Sequence, residues 1–214
     1  MMSNQLTTTE ERGEPQVNVI NYNPVFPTLM AEVLLDLPVE DMMEDLLKLG
    51  VNEDNYSGGY TTYFNRQNID NIRGVKELKD AIYGVSCSYC RELKFETDYD
   101  KCSIEVWANV MRKGGYHIPH HYNKKIVAGT FLVRSVEDMS PIVFHNPTSM
   151  LRGKEPVFLP KDATPFTAEK MVITPKVNTM LIWPAWMVHE IPKMEVSGPC
   201  ISFSFNVDFL PVGV

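Results

Sequence analysis

The chain has 214 residues, enough for one well-buried domain without a second, and its 44% hydrophobic and 22% charged content is ordinary for a globular protein. A formal net charge of −7, with only Lys124–Lys125 and Arg152 with Lys154 as basic clusters, argues against nonspecific binding to nucleic acid or an anionic membrane. No stretch approaches the ~20 apolar residues of a membrane span, the opening MMSNQLTTTEERGEP has no apolar signal core, and four cysteines do not make a disulfide framework. A reducing cytoplasm is the expected location.

Residues 1–15 are polar and are expected to form a disordered tail, leaving 16–214 as one domain. In DLPVEDMMEDLLKLG, Asp36 is placed to cap a helix whose first turn holds Pro38. Val39, Met42, Met43, Leu46 and Leu47 follow helical spacing, and Gly50 ends the run. A Gly- and Tyr-rich segment, NYSGGYTTYFN, comes next. Val75, Leu78, Ile82, Val85 and Leu93 then form one stripe of a second helix, roughly 71–94.

From Cys102 the period changes to two. Ile104, Val106 and Ala108 alternate with Glu105, Trp107 and Asn109. IVAGTFLVR, PIVFH, PVFL, KMVIT and TMLIW are short apolar runs parted by Pro, Gly and Ser. In the last, CISFSFNVDF, Ile201, Phe203, Phe205 and Val207 alternate with Ser202, Ser204, Asn206 and Asp208. The pattern predicts a mainly β protein with α, an antiparallel sandwich or jelly roll whose N-terminal helices pack on one sheet.

Three of the chain's five histidines fall within GGYHIPHHYNKKIVAG, at His117, His120 and His121. His189 ends another β run, in LIWPAWMVHEIP. Ferrous oxygenases bind their metal with two histidines and a carboxylate on one face, leaving positions open. In a strand, residues i and i+2 share a face. His120 therefore pairs with Tyr122, or His121 pairs with Asn123 and His117. Neither register brings a carboxylate, and Pro119 interrupts regular pairing before His120.

These residues resemble a family of uncharacterised 2-oxoglutarate/Fe(II)-dependent oxygenases, with a pattern like W-x-N … H-x-H-P … S-G … F-P … H … R-x-S-x-x-F-N. PVFPTLMAEVLLDL is similar to its opening strand and SGGYTTYFN to its Gly-rich segment. Trp107 and Asn109, His120, Ala128–Gly129, Trp183–Pro184, His189 and ISFSFN follow in order. The resemblance implies a double-stranded β-helix and a dioxygenase using Fe(II) and 2-oxoglutarate. It puts His120, Tyr122 and His189 at the metal, Tyr122 standing where the family has its second His. Cys200 stands where the family has the Arg that anchors 2-oxoglutarate. A carboxylate is best held by a guanidinium fork. Arg134 is the first substitute, with Lys124 or Lys125 as others. Asn109 and Ser202 are the remaining co-substrate contacts.

The implied substrate is a small molecule or a peptide, with nucleic acid disfavoured by charge. Such sequences are frequent in marine phages, which would make the location a host cytoplasm. Two other readings stay open: a degenerate jelly-roll relative that binds a partner or a virion without catalysis, and a cupin-like metal protein that does not use 2-oxoglutarate. The aromatic strand faces suit either a core or a homodimer interface. His145 reads as a strand-end surface histidine, Cys87-x-x-Cys90 lacks a second pair for zinc, and Trp183 and Trp186 read as cavity walls or core.

Overall fold

The computed structural model describes residues 26–49, 54–56, 58–64, 69–149, 164 and 167–211. The expected tail, Gly50 and the run PVFL lie outside the described residues.

The alternation of the last strand sets the layout. β10 (Cys200–Pro211) pairs antiparallel with β3 (Thr97–Met111) on one side and β5 (Val127–Arg134) on the other. β8 (Thr179–Pro184) continues from β5. β1 (Ala31–Leu34) closes one edge and β2 (Gly59–Thr61) the other. The resulting sheet has the order β1-β8-β5-β10-β3-β2. A second sheet has the order β4-β9-β6-β7, from His117–His120, His189–Ile191, Ile142–His145 and Lys170–Ile173. This is the expected double-stranded β-helix. β3 is longer than the sequence suggested, because Thr97 and Asp98 also pair, with Pro211 and Leu210, beyond an irregularity at 99–101.

The large sheet has two apolar faces. One carries Ile201, Phe203, Phe205 and Val207, all fully buried, with Val106, Ala108 and Val110 beside them. Two helices cover it: α1 (Val39–Lys48), through Met42 and Leu46, and α2 (Val75–Glu92), through Leu78, Ile82 and Cys90. The other face looks across to the small sheet, where Ala128, Leu181 and Trp183 meet Ile142 and Phe144. Gly129 lies in β5, between Phe205 of β10 and Ile182 of β8. A Cβ there would come within 2.2 Å of the Phe205 ring and 2.5 Å of the Leu181 carbonyl, so only glycine fits.

Two helix starts differ from expectation. Pro38 itself is the N-cap of α1, with no side-chain cap, so Asp36 does not cap it. The second helix begins at Val75 because Gly74 adopts φ +79, after a short 3-10 turn at Ile69–Asn71. Arg73, just before it, ties this turn to α1. Its Nε and Nη2 donate to both carboxylate oxygens of Asp45 at 2.7 and 2.8 Å, and its Nη1 donates to Asp41 at 2.7 Å. Among the described residues, no helix is long and apolar enough to cross a membrane.

Candidate metal and co-substrate site

The small sheet brings the distant histidines together. β4 pairs with β9 so that His120 lies opposite His189, their ring centroids 4.3 Å apart. His117 lies opposite Ile191. Between the two pairs, Ile118 and Pro119 face only Glu190, so β4 carries one extra residue. This is a β-bulge on an edge strand, where a proline without an N–H costs no ladder bond. The bulge puts His117 on the same side as His120, three residues on, where strict alternation would oppose them. Tyr122 follows two residues later on the same side, and His121 is exposed.

His117, His120, Tyr122 and His189 line one cavity between the sheets, with Trp107, Asn109, Trp183, Cys200, Ser202 and Ser204 from the large sheet. Its volume of about 70 Å³ is several times the space one water needs.

The tautomers follow from the hydrogen bonds. His120 Nδ1 lies 2.7 Å from the Ile118 carbonyl and His189 Nδ1 lies 3.0 Å from the Met187 carbonyl. A carbonyl only accepts, so each Nδ1 carries the proton and each Nε2 keeps a bare lone pair. Metal-ligating histidines are commonly fixed in this way. Tyr122 Oη donates to His120 Nε2 at 3.3 Å. Burial pushes His189 down to about 3, helped by the neighbouring His120, and His117 down to about 4 for the same two reasons. Burial lowers His120 as well. All three are neutral imidazoles at pH 7, the form that binds a metal.

Among the described residues, no three or more His, Cys, Asp or Glu side chains form a group that could hold a metal ion. The arrangement offers two facing imidazoles and one phenol. His117 makes an edge contact with Tyr56 and stands 6.0 Å from the His120 ring. Sequence spacing did not pair it with His120, because the bulge that turns it inward has no signal beyond Pro119.

The co-substrate positions divide. Asn109 and Ser202 line the cavity, Ser202 directly opposite Asn109 across the β3–β10 ladder. The Asn109 amide is already engaged: its Oδ1 accepts from Thr61 Oγ1 at 2.8 Å and its Nδ2 donates to Ser204 Oγ at 2.9 Å. Arg134 is not brought to the cavity. The β5–β10 register slips so that Ser202 faces Leu132 while Ile201 faces Arg134, leaving Val133 as an extra residue. That bulge turns Arg134 to the helix side of the sheet, where its Nη1 meets Met43 Sδ at 3.7 Å. Lys125 binds Glu105 at 3.0 Å and Lys124 is exposed. No Lys or Arg lines the cavity among the described residues.

Trp183 supplies a donor that spacing alone did not assign. Its ring stands 5.0 Å from that of His189, and its buried Nε1 has no hydrogen-bond partner. A buried N–H of this kind costs free energy unless an acceptor reaches it. His145 pairs with Glu190 at 3.1 Å, away from the cavity, and Cys87 and Cys90 are free thiols buried in α2.

The residues therefore fit a metal, through two oriented imidazoles and a nearby phenol. Asn109, Ser202 and Ser204 add hydrogen-bonding groups to the same lining. For the far carboxylate of 2-oxoglutarate they provide no cation among the described residues.

Residues 105–206 match a family described as "Putative 2OG-Fe(II) oxygenase". Over that stretch, just under half of the chain, the resemblance seen in the sequence holds. No curated protein sequence matches the chain. Several solved structures share the fold at low identity. A prolyl-4-hydroxylase from Pseudomonas putida is 10% identical with TM-score 0.57, covering 87% of this chain and 94% of its own. HygX from Streptomyces hygroscopicus, with nickel and 2-oxoglutarate bound, is 11% identical with TM-score 0.54, covering 87% and 84%. A prolyl hydroxylase from Trichoplax adhaerens, in complex with a peptide fragment of the hypoxia inducible factor oxygen degradation domain, is 11% identical with TM-score 0.55, covering 84% and 83%.

Proposed function

We propose that this chain is an Fe(II)-dependent oxygenase of the 2-oxoglutarate class, hydroxylating a small molecule or a peptide. The observation that carries the reading is the facing pair His120 and His189. His189 is buried and His120 half-buried, both neutral, each with Nδ1–H tied to a backbone carbonyl and Nε2 unprotonated beside a cavity, that of His120 accepting from Tyr122. The family match over residues 105–206 supports it.

In this reading His120 and His189 hold iron through Nε2. Tyr122 stands beside them as an oxygen donor whose phenol, with an ordinary pKa of ~10, must lose its proton to ligate. Bound iron with a 2-oxo acid and O₂ supplies the oxidising power, the oxo acid losing CO₂. The protein's part is positioning and exclusion of water. The backbone carbonyls of Ile118 and Met187 keep the two rings from rotating. Ser202 and a remaining N–H of Asn109, both in the cavity lining, would meet the co-substrate's oxygens. Trp107 leads outward through an edge contact to Tyr63, 41% exposed, and on to Phe64, 73% exposed. This aromatic path suits a substrate with an apolar body. The peptide held by the Trichoplax prolyl hydroxylase supports a peptide as one substrate class.

The absence of a Lys or Arg from the cavity lining among the described residues favours a second reading, a metal protein that does not use a 2-oxo acid. Adding Fe(II) and then 2-oxoglutarate in excess without oxygen separates the two. A visible charge-transfer band on the second addition is expected. Iron binding with no band supports the second reading, and no iron binding leaves a non-catalytic relative.

A further inference from the structure

We propose that the cavity does not require a second carboxylate on its oxo acid, and that it takes 2-oxo acids with an uncharged, branched apolar tail at least as tightly as 2-oxoglutarate. This rests on the iron- and oxo-acid-dependent reading above and names the co-substrate class of the same site.

The inference comes from the chemistry of the cavity wall. Beside His120, His189 and Tyr122 the lining holds the hydroxyls of Thr130, Ser140, Ser202 and Ser204, and no Lys or Arg among the described residues. Met111, Leu132, Met139, Met194 and Cys200 supply apolar surface to the same lining. Met111, Met194 and Cys200 form one buried cluster, with Met139 and Ile191 packed on it. Burial pushes the Cys200 thiol above its ordinary pKa, outweighing the nearby Val136 backbone and Arg134, so it stays uncharged.

An oxo acid held by its carboxylate and keto oxygens beside His120 and His189 would direct its tail toward the cluster of Met111, Met194 and Cys200. A carboxylate there would lose its water with no Lys or Arg among the described residues to replace it. Arg134 cannot compensate from its present position, because the bulge at Val133 turns it to α1 and Met43. A branched alkyl tail meets thioether, thiol and leucine surfaces, which pack flexibly around irregular apolar shapes.

The test compares two ligands of matched length. Fe(II)-loaded full-length protein is titrated without oxygen with 2-oxoglutarate and with 5-methyl-2-oxohexanoate, whose isopropyl group replaces the far carboxylate. The visible band reports binding, and calorimetry gives each affinity. The inference expects the methyl oxo acid to bind as tightly as 2-oxoglutarate or more tightly. In Cys200→Arg the preference should move toward 2-oxoglutarate by roughly tenfold or more, the worth of a charge-assisted pair. In Arg134→Gln the ratio should stay unchanged. Tighter binding of 2-oxoglutarate by the wild type overturns the inference and leaves the oxygenase reading standing. So does an Arg134→Gln variant that selectively loses 2-oxoglutarate. If neither acid binds the iron-loaded protein, the oxygenase reading fails with it. The wild-type ratio decides the matter even if Cys200→Arg does not fold.

Discussion

A carbonyl two residues back fixes the ring at both His120 and His189, so the same local device appears on two strands distant in sequence. Each ring then presents Nε2 inward without a further side chain to hold it. Beside them Tyr122 gives a hydrogen bond to His120 Nε2, occupying the lone pair that a metal would take. Replacing the phenol with an imidazole removes that competition and adds a third bare nitrogen. Tyr122→His is therefore expected to raise Fe(II) affinity by roughly tenfold or more, about 1.4 kcal/mol per tenfold, measured anaerobically against a competing chelator. Unchanged affinity would show that Tyr122 does not face the metal. At this scale the strand period left two groupings, His120 with Tyr122 or His121 with Asn123 and His117, and the family resemblance favoured the first and pointed to His189. It could not place His117, whose side is decided by one extra residue in β4.

At the scale of elements, two bulges decide what the cavity contains. The one at Ile118–Pro119 adds an imidazole to the wall, and the one at Val133 removes a guanidinium from it. Simple alternation along IVAGTFLVR puts Arg134 on the face of Thr130 and Leu132, which do line the cavity. The bulge is invisible in sequence because Val133 is apolar and suits either face. Gly129 is the opposite case, a small residue whose reason is purely steric. Gly129→Ala would force Phe205 and the β8 backbone apart. It is expected to destabilise the fold by about 1–3 kcal/mol or more, as overpacking does, seen as a lower urea midpoint. A midpoint unchanged from wild type would contradict the close contact of β5, β8 and β10. The helices were legible from their apolar stripes, and their starts were not, since Pro38 and the left-handed Gly74 act through backbone geometry.

The whole molecule divides by face. Helices cover one side of the large sheet, and the small sheet covers the other to enclose the cavity. That division was readable from two facts together: helical periods confined to the first half and period-two runs confined to the second. The pairing order was not readable from periodicity, since it depends on long-range contacts between strands. The family resemblance supplied the double-stranded β-helix and His120 and His189 as partners, and the strand order came from the structure. In the proposed reading His120 and His189, and not their exposed neighbour His121, would hold the metal. An oxygen-free Co(II) titration followed by visible absorption tests it on wild type, His189→Ala, His120→Ala and His121→Ala. The account predicts a saturable d–d band in wild type and His121→Ala, with loss of that band in His120→Ala and His189→Ala while the fold persists by circular dichroism. Wild-type Co(II) affinity in His189→Ala, or loss of the band in His121→Ala, would contradict it.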